Sequence, residues 1–339
     1  METKDLKNLV RAVTEEDKHN LPTFSYSKLD IKKKCPFKYD LRYNQKNFSS
    51  KGSIATDVGT LIHWCLEQKA LAKLENVPVS YEDIAMCVRT GVDSVSEKGK
   101  NKRIYGTEEI AMLYPEDYYT PDKVTGRTYA EKIDTFLQEV LPERMEEVNG
   151  WAVWGAEVPF EFVYNEKCIL HGFIDRIDVS LNEQKEPIVR ITDYKTSKKV
   201  FDEKLIKTPM QMVVYDLACL FMFGQLPVSH VYDFVLLDEQ QSEKDGVCTF
   251  GYFNRGLRQL DALLEGTNRN EETKEPVVYE PKPSPLCFYC DFCKNNPNGE
   301  AKFKSLCPYY SLWTPTRKVY EVNMEFVPGV KPRTLDFDF

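Results

Sequence analysis

The segments His171-Gly-Phe-Ile-Asp-Arg-Ile-Asp178 and Ile191-Thr-Asp-Tyr-Lys-Thr196 alternate apolar and polar residues, and so place Asp175, Asp193 and Lys195 on neighbouring β-strands. Two carboxylates converging on one point suit a hard divalent cation, Mg²⁺ or Mn²⁺, which takes oxygen ligands. Such a cation can activate water and neutralise the oxyanion that develops when a phosphodiester is cut. Strand side chains repeat with a period of two, so Lys195 projects from the same face as Asp193 and can reach the same phosphate or water. The chemistry these residues imply is metal-dependent phosphodiester hydrolysis.

The flanking pattern supplies the elements that would hold them. From Asp57 to about Leu74, apolar residues at helical spacing (Val58, Leu61, Ile62, Cys65, Leu66, Leu71) predict a core-packed helix carrying His63. Trp151–Tyr164, Lys167–Ser180 and Pro187–Tyr194 read as three strands joined by turns. A helix over about Thr208–Phe223 and a buried strand over Ser229–Leu237 follow, giving the order helix, three strands, helix, strand. An amphipathic helix is expected near Arg255–Leu264. Residues 1–22 read as a short helix or an arm, and Phe24–Cys35 as a helix capped by Ser25 or Ser27 and stopped by Pro36. The stretch from about 80 to 150 is charged, rich in tyrosine and mostly helical in pattern, broken near Pro115, Pro121 and Gly126; it has the character of an insertion. Its tyrosines (Tyr105, Tyr114, Tyr118, Tyr119, Tyr129) suit either a helical core or the stacking of single-stranded bases.

At 339 residues with 42% hydrophobic content, the chain can bury a sizeable core. The charged start METKDLKNLVRAVTEEDKHN is unlike a secretory signal, and no apolar run reaches the roughly 18 residues of a membrane span, so a cytoplasmic protein without a membrane partner is expected. A net charge of −8 argues against wholesale coating of nucleic acid and leaves room for local basic tracks. Lys32, Lys33 and Lys34 form one such cluster, and Lys195, Lys198, Lys199, Lys204 and Lys207 another; each is equally well read as a solvated surface. The ten cysteines do not suit a disulfide framework in a reducing compartment. Cys65, Cys87, Cys168, Cys219 and Cys248 stand singly among apolar residues, as small buried hydrophobes, whereas Cys287, Cys290, Cys293 and Cys307 crowd together.

Five blocks in order resemble the PD-(D/E)XK nuclease superfamily, in particular the RecB and AddB type nuclease domains and the CRISPR-adaptation nucleases related to them. The blocks are Gly59-Thr-Leu-Ile-His63, Glu157, Gly172-Phe-Ile-Asp175-Arg-Ile-Asp178, Asp193-Tyr-Lys195-Thr and Gln211-Met-Val-Val-Tyr215. The resemblance implies an α/β fold, a mixed central sheet flanked by helices, with a helical insertion at about 80–150. It also implies a metal site of His63, Glu157, Asp175, Asp193 and the Tyr194 carbonyl. Asp175, Asp193, Lys195, Gln211 and Tyr215 are then the catalytic set. Lys195 would orient water or stabilise charge, while Gln211 and Tyr215, four apart on one helix face, serve positioning. Glu161 lies on the same strand and the same face as Glu157 and is the weaker choice; Asp178 suits a structural pair with Arg176 or a turn.

In the iron-sulfur branch of that family, Cys35-Pro36, Cys287, Cys290 and Cys307-Pro308 resemble the four-thiolate bracket of a [4Fe-4S] cluster, with zinc as the alternative. Taken alone, Cys287-x2-Cys290-x2-Cys293 points to zinc, and the remote Cys35 beside a nuclease core points to iron-sulfur. The spacing departs from the family: Cys293 comes early and Cys307 late, and Cys307 is preferred because a proline follows it. The implied organisation is an N-terminal arm with the first cluster cysteine (1–55), a nuclease core (56–265), a cluster region (266–313) and a C-terminal tail (314–339).

The expectation is a stand-alone deoxyribonuclease, by resemblance an exonuclease, acting on DNA ends or single-stranded DNA in replication, recombination or DNA breakdown, as in bacteriophages and mobile elements. No Gly-x-x-x-x-Gly-Lys-[Ser/Thr] loop occurs in the sequence, so unwinding would fall to a helicase partner, and a single-strand-binding partner is also expected. The competing expectations are a non-catalytic iron-sulfur scaffold for DNA binding or recombination, a structure-specific endonuclease, and a zinc-ribbon interaction module joined to an unrelated α/β domain. The terminal Leu335-Asp-Phe-Asp-Phe339 reads either as an inert end or as a docking peptide for a replication partner.

Overall fold

Buried and exposed side chains alternate between Val158 and Phe162, and in the computed structural model this stretch belongs to a three-stranded antiparallel meander. The structure describes residues 6–48, 52–78, 80–95, 101–144, 150–202, 205–206, 210–242, 250–265, 279–293, 296, 299–304, 306–307, 309–311 and 320–322. Two compact units result, one drawn from Met1–Tyr26 and Gly52–Ala262, the other from Ser27–Lys51 and Leu263–Phe339.

In chain order the first unit contains β1 (Val10–Arg11), β2 (Thr23–Phe24), α1 (Ile54–Glu75), β3 (Val92–Val95), β4 (Asn101–Ile104), β5 (Ala152–Tyr164), β6 (Cys168–Leu181), β7 (Pro187–Tyr194), α2 (Met210–Phe223), β8 (Ser229–Phe234), β9 (Glu239–Gln241) and α3 (Phe250–Leu264). The main sheet has the order β1-β5-β6-β7-β8-β9, with β2 beside β6. Pairing is antiparallel except at β2–β6 and β7–β8, so α2 is the crossover between two parallel strands. This is a mixed α/β fold with a central sheet and flanking helices.

Local chemistry fixes the meander. Asn165 and Glu166 both adopt positive φ (47° and 53°), and Lys167 N–H donates to the Tyr164 carbonyl at 2.9 Å. That is a two-residue turn whose twist matches the strands it joins. On one face of β6 and β7, the fully buried Asp178 carboxylate accepts from Arg176 Nε at 2.7 Å and Arg190 Nη2 at 2.9 Å. Asp178 is thus the structural partner of Arg176.

Helix α1 opens with Ser53, whose hydroxyl accepts from Thr56 N–H at 3.2 Å, and closes on Asn76 in the left-handed region. Its Val58, Leu61, Ile62, Cys65 and Leu66 join Ile133, Phe136, Val140, Leu141 and Tyr194 in one core cluster. Each fully buried Leu or Ile there stabilises the fold by about 2 kcal/mol.

Two strand pairings, β3–β4 and β1–β5, go beyond the sequence pattern. The insertion contains the expected helices (Tyr81–Thr90, Thr107–Leu113, Pro115–Tyr119, Tyr129–Thr135), but between them β3 and β4 form an antiparallel hairpin. The helical pattern does break at Tyr114, and Pro115 opens the next helix, because its missing N–H is harmless in a first turn. At the start of the chain the expected short helix forms over Glu15–Asn20, and ahead of it β1 adds to the sheet edge against β5, with Arg11 paired to Glu166 and Asp17. Tyr118 and Tyr129 are buried in the core and Tyr114 donates to Asp57 at 2.8 Å, so these three are not open stacking platforms.

The helix Tyr26–Lys34 begins directly after Ser25 and stops before Pro36 as expected, with Cys35 extended, and Pro36 then opens the short helix Pro36–Tyr39. Cys35 caps that helix, its Sγ accepting from Lys38 N–H at 3.4 Å. Lys32 turns inward to donate to the Leu263 carbonyl at 2.5 Å, which removes it from any basic surface track. In the second unit, Phe37, Leu41, Phe292 and Phe303 form the core, and β10 (Tyr309–Ser311) pairs with β11 (Tyr320–Val322). Cys248, Lys204, Lys207, Pro308 and the terminal Leu335–Phe339 lie outside the described residues. No described helix is long and apolar enough to cross a membrane.

Candidate active site and metal centre

Strand β5 passes Glu157 opposite Asp175 of β6, between the paired positions Ala156↔Arg176 and Val158↔Ile174. Glu157 has φ 45°, a conformation that costs a side chain with a Cβ about 1 kcal/mol or more. From α1, His63 reaches the same point. Its Nδ1 lies 3.7 Å from Glu157 Oε1 and 3.7 Å from Asp175 Oδ2, and one donor atom from each residue falls within 4.8 Å of the others. Ligands at about 2.1 Å from a shared cation stand at most about 4.2 Å apart, so little movement would be needed to share one. Two carboxylates and an imidazole suit Mn²⁺ and Mg²⁺, the imidazole favouring the former.

The electrostatics agree with a cation site. Burial pushes Asp175 up to about 7; the neighbouring Asp193 and Glu157 carboxylates add to this and His63 opposes it. Burial by itself would lower His63, but Asp175 and Glu157 outweigh it and raise the imidazole to about 9. Negative charge is crowded here beyond what the fold's own cations neutralise.

Asp193 and Lys195 come from the end of β7, where the parallel ladder continues: Lys195 N–H donates to the Asp233 carbonyl at 2.7 Å and Val235 N–H to the Lys195 carbonyl at 3.1 Å. This pins the backbone of the lysine. Its ammonium pairs with Asp193 Oδ2 and donates to Gln211 Oε1 at 2.9 Å. Gln211 Nε2 donates to Asp193 Oδ1 at 2.5 Å and to the Tyr215 hydroxyl at 2.9 Å. Tyr215 OH in turn donates to the same Asp193 oxygen at 3.4 Å, and its burial holds the phenol far above its ordinary range. Gln211 and Tyr215 stand one turn apart on the buried helix α2, as their spacing requires.

The expected residues therefore form two adjoining groups: His63, Glu157 and Asp175 in one, Asp193, Lys195, Gln211 and Tyr215 in the other. The Asp193 carboxylate is engaged by Lys195, Gln211 and Tyr215 and does not join the three-donor cluster. Tyr194 meets the site through its backbone N–H, which donates to Asp175 Oδ2 at 2.7 Å, and through its ring, edge-on to His63 with centroids 6.0 Å apart. Glu161 is exposed and faces His171 across the β5–β6 pair, away from the donor cluster.

The second unit gathers Cys35, Cys287, Cys290, Cys293 and Cys307 around one cavity of about 210 Å³. Backbone amides already point at the sulfurs: Lys282 N–H lies 3.5 Å from Cys35 Sγ and Ser284 N–H 3.3 Å from Cys287 Sγ. Such donors stabilise thiolates, so the residues fit a metal-sulfur group. Both Cys293 and Cys307 line the cavity; Cys293 is the more buried.

The sequence is similar over 214 residues to an ATP-dependent helicase/deoxyribonuclease subunit of Clostridium perfringens (strain SM101 / Type A), at 27% identity, covering 58% of this chain and 17% of that protein. The corresponding helicase/deoxyribonuclease subunit from Caldanaerobacter subterraneus subsp. tengcongensis is 29% identical over 212 residues, 57% of this chain and 17% of the relative. That of Clostridium tetani (strain Massachusetts / E88) is 26% identical over 187 residues, 52% and 16%. The chain thus spans about one sixth of the length of these curated relatives. A family model for the PD-(D/E)XK nuclease superfamily matches residues 23–294, which include every residue of both site groups. The chain belongs to the PD-(D/E)XK nuclease superfamily.

Proposed function

We propose that the protein is a Mg²⁺- or Mn²⁺-dependent deoxyribonuclease that acts as an exonuclease on DNA ends or single-stranded DNA. One observation carries the reading: donor atoms of His63, Glu157 and Asp175 converge within 4.8 Å beside the Asp193–Lys195–Gln211–Tyr215 network. His63, Glu157, Asp175 and, after a side-chain turn, Asp193 would hold the cation, with the Tyr194 carbonyl as an additional ligand. Bound there, the cation supplies positive charge to the phosphate and acidifies water. Lys195 is pinned by the β7–β8 ladder and presents its ammonium to the phosphate oxygens. Gln211 and Tyr215 hold the lysine and Asp193 in register, so that little reorganisation is needed when charge develops.

The five cysteine side chains around one cavity support a structural [4Fe-4S] cluster held by Cys35, Cys287, Cys290 and Cys307, with zinc as the alternative. The relatives' description as helicase/deoxyribonuclease subunits supports a helicase partner, and with it a cytoplasmic role in recombination or DNA breakdown.

The test is degradation of end-labelled single-stranded, double-stranded and circular DNA by anaerobically purified protein with Mg²⁺ or Mn²⁺, beside Asp193→Ala. Metal-dependent cutting that vanishes in the variant, with circles spared, is the expected result. Absence of cutting by the wild type, with a helicase partner added as well as without, would overturn the reading in favour of a DNA-binding scaffold.

A further inference from the structure

A cleft of about 400 Å³ adjoins the metal cradle and shares His63 and Glu157 with it. One wall is α1. The lining residues Ala55, Gly59, His63 and Glu67 form one row four residues apart, and Thr56, Thr60 and Trp64 form the adjacent row. Rows of this spacing lie along one helix face. The first turns carry small side chains, so the helix surface is recessed there, and it rises to His63 and Trp64 beside the cradle. The opposite wall is the β3–β4 hairpin. Ser94 and Lys102 are register partners, so their side chains leave the hairpin on the same side, as does Ile104 two residues on. Ile104 is buried in the core and anchors that face, while Lys102 is exposed where it borders the cleft.

Lys102 makes no ion pair among the described residues, and Trp64 is only partly buried against the core. Burial and the Glu157 carboxylate push Glu67 up while Lys102 and His63 oppose the shift, so the charge of Lys102 is felt inside the cleft. A cation without an ion pair among the described residues, a partly buried indole and a recessed helix surface leading to a cation cradle are the parts with which proteins track one nucleic-acid strand. A base stacked inside a duplex has both faces covered by its neighbours, whereas an unpaired nucleotide can present a free face to the indole.

We infer that the cleft between α1 and the β3–β4 hairpin is a subsite for single-stranded nucleic acid, with Trp64 stacking on a base and Lys102 pairing with a phosphate next to the one presented to the metal cradle. The inference deepens the nuclease reading and rests on it for the identity of the ligand. Trp64 and Lys102 are positioning residues: they set which phosphate reaches His63, Glu157 and Asp175.

The test is binding of fluorescein-labelled oligo(dT) to the full chain carrying Asp193→Ala, followed by fluorescence anisotropy across a salt series. Adding Lys102→Ala should lower the slope of log affinity against log salt by about 0.7, the share of one single-strand phosphate, and Lys102→Arg should restore it. Trp64→Leu should weaken binding about tenfold with the salt slope unchanged. In the otherwise wild-type chain, Lys102→Ala should raise KM for single strands more than it lowers kcat. Lys102 is exposed, so its variants test the subsite even if Trp64→Leu fails to fold. Unchanged affinity and slope in Lys102→Ala, or equal loss for a duplex of the same length, would overturn the subsite. Binding is read without cutting. A wild type that cuts nothing, with the Lys102 effect intact, therefore overturns the nuclease reading alone; a wild type that cuts, with no Lys102 effect, overturns the subsite alone.

Discussion

Glu157 holds a backbone conformation that favours glycine, and it does so at the point where its carboxylate meets His63 and Asp175. Strain and crowded charge both oppose folding there, so the residue serves the site at the expense of the strand. Glu157→Gly should raise unfolding stability by about 1 kcal/mol in the presence of EDTA, measured by chemical denaturation, while calorimetric Mn²⁺ affinity falls. A variant that loses stability would show that the left-handed position is not strained. Lys195 has the opposite character: Asp193 and Gln211 hold its ammonium and the ladder holds its backbone. Lys195→Ala should therefore lower kcat by about 10²-fold or more with Mn²⁺ affinity near that of the wild type, and should also lower the melting temperature, because the buried Asp193 loses its counter-charge. Asp175, Asp193 and Lys195 were legible in the sequence because strand alternation dictates their common face. The positive φ of Glu157 was not, since it is a backbone conformation that no side-chain type announces.

At the scale of elements, the insertion has its own internal fastening. Lys132 and Asp122 form a buried pair, and Asp122 also accepts from Thr125 and from the backbone amides of Val124 and Thr125. Burial would raise the Asp122 carboxyl, but hydrogen bonds from Lys132 and Thr125 outweigh it and hold it well below the ordinary range. A carboxyl depressed on folding contributes stability that is present above its unfolded value of about 4 and is lost as pH falls toward the folded value. Asp122→Asn leaves Lys132 buried without a counter-charge and should cost about 3 kcal/mol at neutral pH. The difference between wild type and variant should shrink below about pH 4 as the wild-type carboxylate takes up a proton; denaturation curves at both pH values check this, and a pH-independent difference would refute it. The meander and α2 were legible because they are long and apolar on a clear period. The hairpin of Val92–Val95 and Asn101–Ile104 was not, because its strands are short and charged and its pairing depends on packing against α1. An element that sequence periodicity missed thus borders the cleft beside the metal cradle.

For the molecule as a whole, the second unit is made from two chain segments separated in sequence by Gly52–Ala262, and Cys35 comes from the first while Cys287, Cys290, Cys293 and Cys307 come from the second. Bringing two such segments together carries a loop-closure cost that grows with the logarithm of the intervening length. The apolar core offsetting it is small: Phe37, Leu41, Phe292 and Phe303. A cluster bonded to thiolates from both segments would add its binding free energy to the folding of that unit alone. Cys35→Ser, purified anaerobically, should then lose iron and sulfide and lose hydrogen-exchange protection across residues 27–48 and 279–307. Protection in Ile54–Glu75 and in Ala152–Tyr194, and Mn²⁺ binding at His63, Glu157 and Asp175, should be retained, because those elements close their own core. The same measurement on Cys293→Ser and Cys307→Ser separates the two candidate fourth ligands, since only the true one repeats the Cys35 pattern; the proline after Cys307 favours it, and the deeper burial of Cys293 suits a packed thiol. Full retention of protection in Cys35→Ser would mean that the four-residue core suffices and that the cysteines are not a fastening.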